Sequence, residues 1–389
     1  MNRAHIGGMS TIHDPRYVQL VQELIKARIA RSITQVLLAE KLGQHQSYIA
    51  KVEGLERRLD IIELFDWLQA LDYEPQKFFQ DIGWFTREGK VTPLPIRGQV
   101  KEAQTGVFQQ LIWEGQIKEV FLEGINIEQY LIVDEYVSDL FASLNTSKPK
   151  IKNREAIAQA LEFAVDNLPN LNPSDIYQHI IYRTYLREYK RSKPEQSWVR
   201  AGGEAIELFI EHRYRPVLES YKIRIKALIS SKAKASVLEE MGLTGKVGDS
   251  KLDLALYGNY EGRDIIFGGI HSKASLAERV SDDVPCSEAM MQRGLISFLY
   301  TFDSKSFPPP AGDLINRGEL GSNEQPSDKR RYIEEHGSFD ACFSYNLRSI
   351  PSPESTQSGK RIFVCSLKLD EDIFSSQVIS AWEKFKQAL

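Results

Sequence analysis

A chain of 389 residues, 42% of them hydrophobic, can bury more than one core, so its length predicts two or three domains. The net charge of −4 excludes a polycation, and any attraction to nucleic acid has to come from local clusters of Lys and Arg. Three scattered cysteines, Cys286, Cys342 and Cys365, with no CxxC pair argue against structural zinc and a disulfide framework, and the lack of a long apolar run argues against a membrane span.

The first fourteen residues lack the apolar core of a signal peptide and read as a mobile lead-in to a cytoplasmic protein. Helical signals follow over 15–30, 34–42, 44–54, 60–71 and 75–82. Thr34 is placed to cap the second of these and Gly43 to break it, while Ile49 and Val52 give the third an apolar face. A short helix, a tight glycine turn and a second short helix make a helix-turn-helix. The words TQVLLAEKLGQHQSYIAKVEG resemble the Cro/Xre family of DNA-binding domains. That resemblance implies that the second helix of the pair enters the major groove, with Gln46, Ser47 and Lys51 at base edges and Gln35 and His45 on the phosphate backbone. Amide side chains pair bidentately with adenine and lysine suits guanine, whereas phosphate contacts set register. Gln44 and Glu53 carry no role in this reading.

From 84 to 100 the sequence gains Gly and Pro and loses its helical period, which predicts a linker with the domain boundary near Pro95. Mixed elements are expected over 101–171, with a helix over 154–168, and a strongly helical region over 173–241 that interleaves basic and aromatic residues.

The stretch 248–303 concentrates the chemistry. KLDLALY (251–257) alternates at period two and DIIFGGI (264–270) is a short β-rich run, so two strands are expected, with Asp253 on the first and Lys273 just past the second. After Pro285 the run CSEAMMQRG reads as a helix that carries Glu288 and stops at Gly294. A hard divalent cation takes oxygen ligands and keeps several waters, so one or two carboxylates and a phosphate oxygen suffice to hold it. A lysine beside it can orient the attacking water or stabilise charge on phosphorus. Further on, 294–303 reads as a buried strand and 304–330 as a long loop with Lys305, Asn316 and Arg317 as candidates for DNA contacts. A strand over 361–369 and a closing helix over 378–389 complete the chain. An isolated acid, lysine and glutamate also fit a strand-end ion pair and solvated helix positions.

The segment HSKASLAERVSDDVPCSEA resembles the PD-(D/E)xK nucleases, in the variant found in the CCGG-recognising (NgoMIV/BsaWI-like) group of type II restriction endonucleases. In that group the second acid of the (D/E)xK element is missing, often replaced by Ser, and a glutamate on the following helix takes its place; here His271 stands two before Lys273. The resemblance implies an α/β (α+β) chain: an all-α helix-turn-helix domain at 1–83, a linker at 84–100 and a nuclease domain at 101–389 with a mixed central sheet flanked by helices. It implies Asp253, Lys273 and Glu288 as catalytic residues, with Asp253 and Glu288 as ligands of Mg²⁺ and Glu278 competing with Glu288. Arg279, Asp282 and Asp283 would read bases, Arg through guanine and Asp through cytosine. The implied partners are double-stranded DNA, a second copy of the chain in a homodimer or higher homo-oligomer, and a cognate DNA methyltransferase. Two alternatives stay open: a non-catalytic transcriptional regulator with a large sensor or dimerisation domain, and a nuclease that requires modified bases.

Overall fold

The computed structural model describes residues 15–84, 100–113, 116–191, 193–245, 252–276, 280–304, 314–369 and 372–389. The expected lead-in, nearly all of the linker, and Glu278, Arg279 and Lys305 lie outside these residues. The chain divides into two compact units.

The first unit holds α1 (Pro15–Ala30), α2 (Gln35–Lys41), α3 (Gln46–Glu53), α4 (Ile61–Ala70) and α5 (Pro75–Asp81), followed by most of a three-stranded sheet, β1 (Val100–Glu102), β2 (Gly106–Trp113) and β3 (Gln116–Glu123). These strands, expected in a second domain that begins at 101, group mostly with the first unit. The helix boundaries follow local chemistry. Thr34 accepts the Leu37 N–H to cap α2 at 3.1 Å, and Asp60 and Glu63 exchange reciprocal bonds at the start of α4. Leu24, Leu38, Ile49, Val52, Trp67 and Leu68, all fully buried, close one core beneath the five helices.

The second unit contains α6 (Ile127–Ala142), α7 (Asn153–Asn167), α8 (Pro173–Asp175), a π-helical segment Ile176–Tyr182, α9 (Arg183–Glu188) and the 27-residue α10 (Pro194–Ser220). Next come β4 (Ile223–Ala227), α11 (Ser231–Glu240), β5 (Leu254–Tyr260), β6 (Arg263–Lys273), α12 (Val280–Met291), β7 (Ile296–Thr301), α13 (Asp328–Glu334), β8 (Ala341–Ser344), β9 (Arg361–Val364) and α14 (Ile373–Lys386). The region expected to be helical throughout 173–241 therefore hides a strand, β4, whose IRIKA sequence alternates buried and exposed. It forms one edge of a six-stranded sheet in the order β4-β5-β6-β7-β8-β9. Pairing is antiparallel from β4 to β6 and parallel from β6 to β9.

Alternation along the strands sorts the side chains onto two faces. Ile266, Leu299, Cys342 and Ile362 meet α11, α12 and α13 in two aliphatic clusters. Their neighbours Phe267, Tyr300 and Phe343 meet Tyr214 of α10 and Phe374 and Trp382 of α14 in an aromatic layer. All three cysteines are free thiols buried in the second unit. No helix among the described residues is long and apolar enough to cross a membrane.

Gly258 lets α14 approach the sheet, because a Cβ there would fall inside the Trp382 indole. Gly258→Ala is expected to lower the stability of the second unit by about 1 to 3 kcal/mol, the usual cost of overpacking. Denaturant unfolding followed by tryptophan fluorescence measures it.

Candidate active site

The sheet changes from antiparallel to parallel pairing at β6, and the carboxyl end of that strand is where charge gathers. Asp253 stands one residue before β5; its N–H donates to Ile270 O at 3.2 Å, which fixes it beside His271. One carboxylate oxygen, Oδ2, accepts the Ser272 N–H at 2.8 Å. Lys273, the last residue of β6, lies with Nζ 3.6 Å from Asp253 Oδ2 and 2.9 Å from Asp283 Oδ2. Asp283 is brought there by α12, which begins at Val280 rather than after Pro285. Pro285 is an interior residue of that helix and gives up one backbone bond, while Asp282 and Asp283 in the first turn suit the positive end of the helix dipole.

Two further charged groups complete the cluster, and neither is visible as a motif in sequence. Glu207 projects from α10 among the buried Ala205, Ile206, Phe209 and Ile210. Lys234, on α11, places Nζ 3.0 Å from Asp253 Oδ1 and 3.9 Å from Glu207 Oε1. Tyr177, Tyr182 and Trp198 line a cavity of about 300 Å³ together with Glu207, Asp253 and Lys273. The one signal for Glu207 in the sequence is an acid set within a helix segment that is otherwise apolar on that side.

Burial alone would raise the Asp253 carboxyl, yet Lys273 and Lys234 outweigh it and hold the group below the ordinary aspartate range. For Glu207 burial wins, reinforced by the negative charge of Asp253 and opposed by Lys234, and the carboxyl is pushed up to about 8. Lys273 is raised, because Asp253 and Asp283 more than offset the burial of its ammonium.

Glu288 is not part of this cluster. It lies exposed on α12, where Oε1 accepts the Ser338 hydroxyl at 3.0 Å. Five residues along a helix turn the side chain by about 140°, so the face that offers Asp283 to Lys273 turns Glu288 towards Ser338. Asp283, expected to read bases, is buried and paired with the lysine instead. Asp282 is half-buried on the same helix, and Glu278 and Arg279 lie outside the described residues. Asn316 is buried, its amide bonded to Ser174 Oγ at 2.5 Å, which makes it part of the scaffold.

The donor set fits a hard cation. Asp253, Glu207 and Asp283 offer carboxylate oxygens, and Glu207 Oε2 is buried without a hydrogen-bond partner. Among the described residues no three metal-binding side chains converge on one point, because an ammonium stands between the acids.

In the first unit His45, Gln46, Ser47 and Lys51 are exposed along the start and outer face of α3, while Gln35 on α2 is half-buried. Glu53, given no role from sequence, organises this surface. Its carboxylate accepts two bonds from Arg28, at 2.6 and 2.9 Å, and one from Gln35 at 2.8 Å. Gln35 in turn accepts from the Gln46 amide at 2.7 Å, so a half-buried acid orients the first residue of α3.

Comparison with known proteins matches both units. Residues 230–372 match the model of the BsaWI restriction endonuclease type 2 family, and residues 24–78 match a helix-turn-helix family. Type II restriction enzyme AgeI of Thalassovita gelatinovora is 47% identical over 272 residues, 68% of this chain and 96% of that protein. The crystal structure of a specific AgeI–DNA complex superposes with a TM-score of 0.66 at 44% identity, covering 70% of this chain and 98% of that one. An XRE-family like protein from Pseudomonas syringae pv. tomato str. DC3000 aligns over 18% of this chain and 88% of its own at 42% identity, with a TM-score of 0.18.

A carboxyl whose pKa is raised on folding favours the native state while protonated, so the contribution of Glu207 is full below the unfolded value and is lost as pH rises towards about 8. In metal-free protein, Glu207→Gln is therefore expected to flatten the fall in stability between roughly pH 5 and 8; thermal melts of both proteins across that range test it. In the first unit Glu53→Ala leaves the Arg28 charge without its carboxylate and is expected to cost about 3 kcal/mol. Lys51→Ala, on the exposed face, should leave the melting temperature unchanged and weaken DNA binding in a gel-shift assay.

Proposed function

Because this chain belongs to the type II restriction endonuclease family and carries a helix-turn-helix DNA-binding module in front of the nuclease, we propose that Asp253, Asp283 and Lys273 form its catalytic centre, with Glu207 as a third carboxylate. The observation that carries this reading is the meeting of two buried aspartates, one beside β5 and one on α12, on the lysine that ends β6. That family membership sets aside the reading as a non-catalytic regulator.

Restriction enzymes of this kind generally use a divalent metal, and Mg²⁺ is the ion proposed here. When bound, it would supply Lewis acidity and a water of lowered pKa. Asp253 is the first ligand proposed, since its two oxygens already face different neighbours and Lys273 and Lys234 outweigh burial to hold its carboxyl below the ordinary aspartate range. Asp283 takes the place that the sequence reading gave to Glu288. Lys273 would hold its ammonium towards the scissile phosphate, where it can orient the attacking water and stabilise charge as it develops on phosphorus. Tyr177, Tyr182 and Trp198 form an aromatic wall beside that charge.

The substrate is double-stranded DNA. The family resemblance supports a CCGG core, and a palindromic target supports action as a homodimer or higher assembly, because two active sites must meet two strands. A cognate methyltransferase and a cytoplasmic setting follow from the same reading. In the front module, Gln46, Ser47 and Lys51 would contact bases and Gln35 and His45 phosphates.

Cleavage of plasmid DNA in Mg²⁺ tests the assignment. Asp253→Ala, Asp283→Ala and Lys273→Ala are each expected to lower the cleavage rate by at least about a hundredfold while keeping DNA binding, and Glu288→Ala to cut at close to the parent rate. Loss of cleavage in Glu288→Ala with activity retained in Asp283→Ala would reverse the assignment.

A further inference from the structure

Two ammonium groups stand among the acids, and the chemistry above uses one. Lys273 joins Asp253 to Asp283; Lys234 approaches from α11, bonded to Asp253 Oδ1 at 3.0 Å and 3.9 Å from Glu207 Oε1. Asp253 and Glu207 come from separate elements, both are buried, and Glu207 still has an oxygen without a hydrogen-bond partner. Two buried carboxylates with an oxygen to spare are a donor set for a hard cation, and the position facing both of them is taken by a side-chain ammonium.

We propose that Lys234 is a built-in counter-ion which occupies the divalent ion's place between Asp253 and Glu207 and withdraws when the ion binds. The inference rests on reading Asp253 as a metal ligand. A carboxylate charge held in a buried site is costly unless a cation stands beside it, and Lys234, bonded to Asp253 and within reach of Glu207, keeps that charge compatible with folding before metal arrives. A lysine suits this duty, since its charge is a compact point on a flexible stem that can move without disturbing the backbone. The backbone itself is anchored: Lys234 lies in the first turn of α11, which Ser230 caps by accepting the Ala233 N–H at 3.1 Å. Lys234 is thus a positioning residue whose presence raises the metal concentration the enzyme requires.

Calorimetric titration of the full chain with Mg²⁺ alone, at fixed pH and without DNA, tests this separately from catalysis. Lys234→Met is expected to bind Mg²⁺ about tenfold more tightly, as a modest ion pair ceases to compete. It should melt earlier than the parent without metal and lose that deficit at saturating Mg²⁺. Lys234→Gln, which keeps a polar tip, should behave the same way if the Met variant folds poorly. Lys234→Arg keeps the charge and should bind Mg²⁺ no more tightly than the parent. Unchanged or weaker Mg²⁺ binding in the neutral variants, or tighter binding in Lys234→Arg, overturns the proposal. Asp253→Asn distinguishes the two layers: if it binds Mg²⁺ as the parent does, the metal-site reading fails; if it loses binding while the neutral Lys234 variants match the parent, the counter-ion inference alone fails.

Discussion

The constraint on which the second unit turns is the gathering of three carboxyl groups in a buried place where water screens charge poorly. Asp253, Asp283 and Glu207 arrive from the beginning of β5, the first turn of α12 and the middle of α10. Each is buried, and the arrangement persists because Lys273 and Lys234 are threaded between them. Strand β6 makes this possible. Paired antiparallel on one side and parallel on the other, it ends where a hairpin partner and a crossover helix can both reach the same side chain.

The front module was the most legible part of the chain, because its signals are local. Thr34, Gly43, Asp60 and Pro75 mark helix ends whatever the rest of the chain does, and the observed boundaries fall within two residues of those expected. In the nuclease core a single strand's pattern sufficed to place Asp253 and Lys273 at neighbouring strand ends. It failed where the answer lay between elements. β4 is short and follows a long charged helix, so its alternation was absorbed into the helical region. Glu207 and Lys234 carry no motif; only folding brings them to Asp253.

The exchange of Glu288 for Asp283 at the lysine has a single geometric cause. A proline marks a first turn by preference, so Pro285 predicts a helix origin five residues later than the observed Val280. On a helix, such a shift in origin changes which side chains are thought to look inward. The acidic pair Asp282 and Asp283, expected to contact bases, lies in the first turn of a helix that starts at Val280.

The buried thiols carry a practical consequence. Burial pushes Cys286 and Cys365 up to about 12, and Cys342 well above its usual range, so all three stay protonated and shielded in the folded molecule. Cys286 sits on the same helix as Asp283, and Cys342 lies in β8 at the middle of the parallel half of the sheet. An alkylating reagent can reach these sulfurs only when the nuclease unit opens, which makes their rate of labelling a direct count of how often it comes apart.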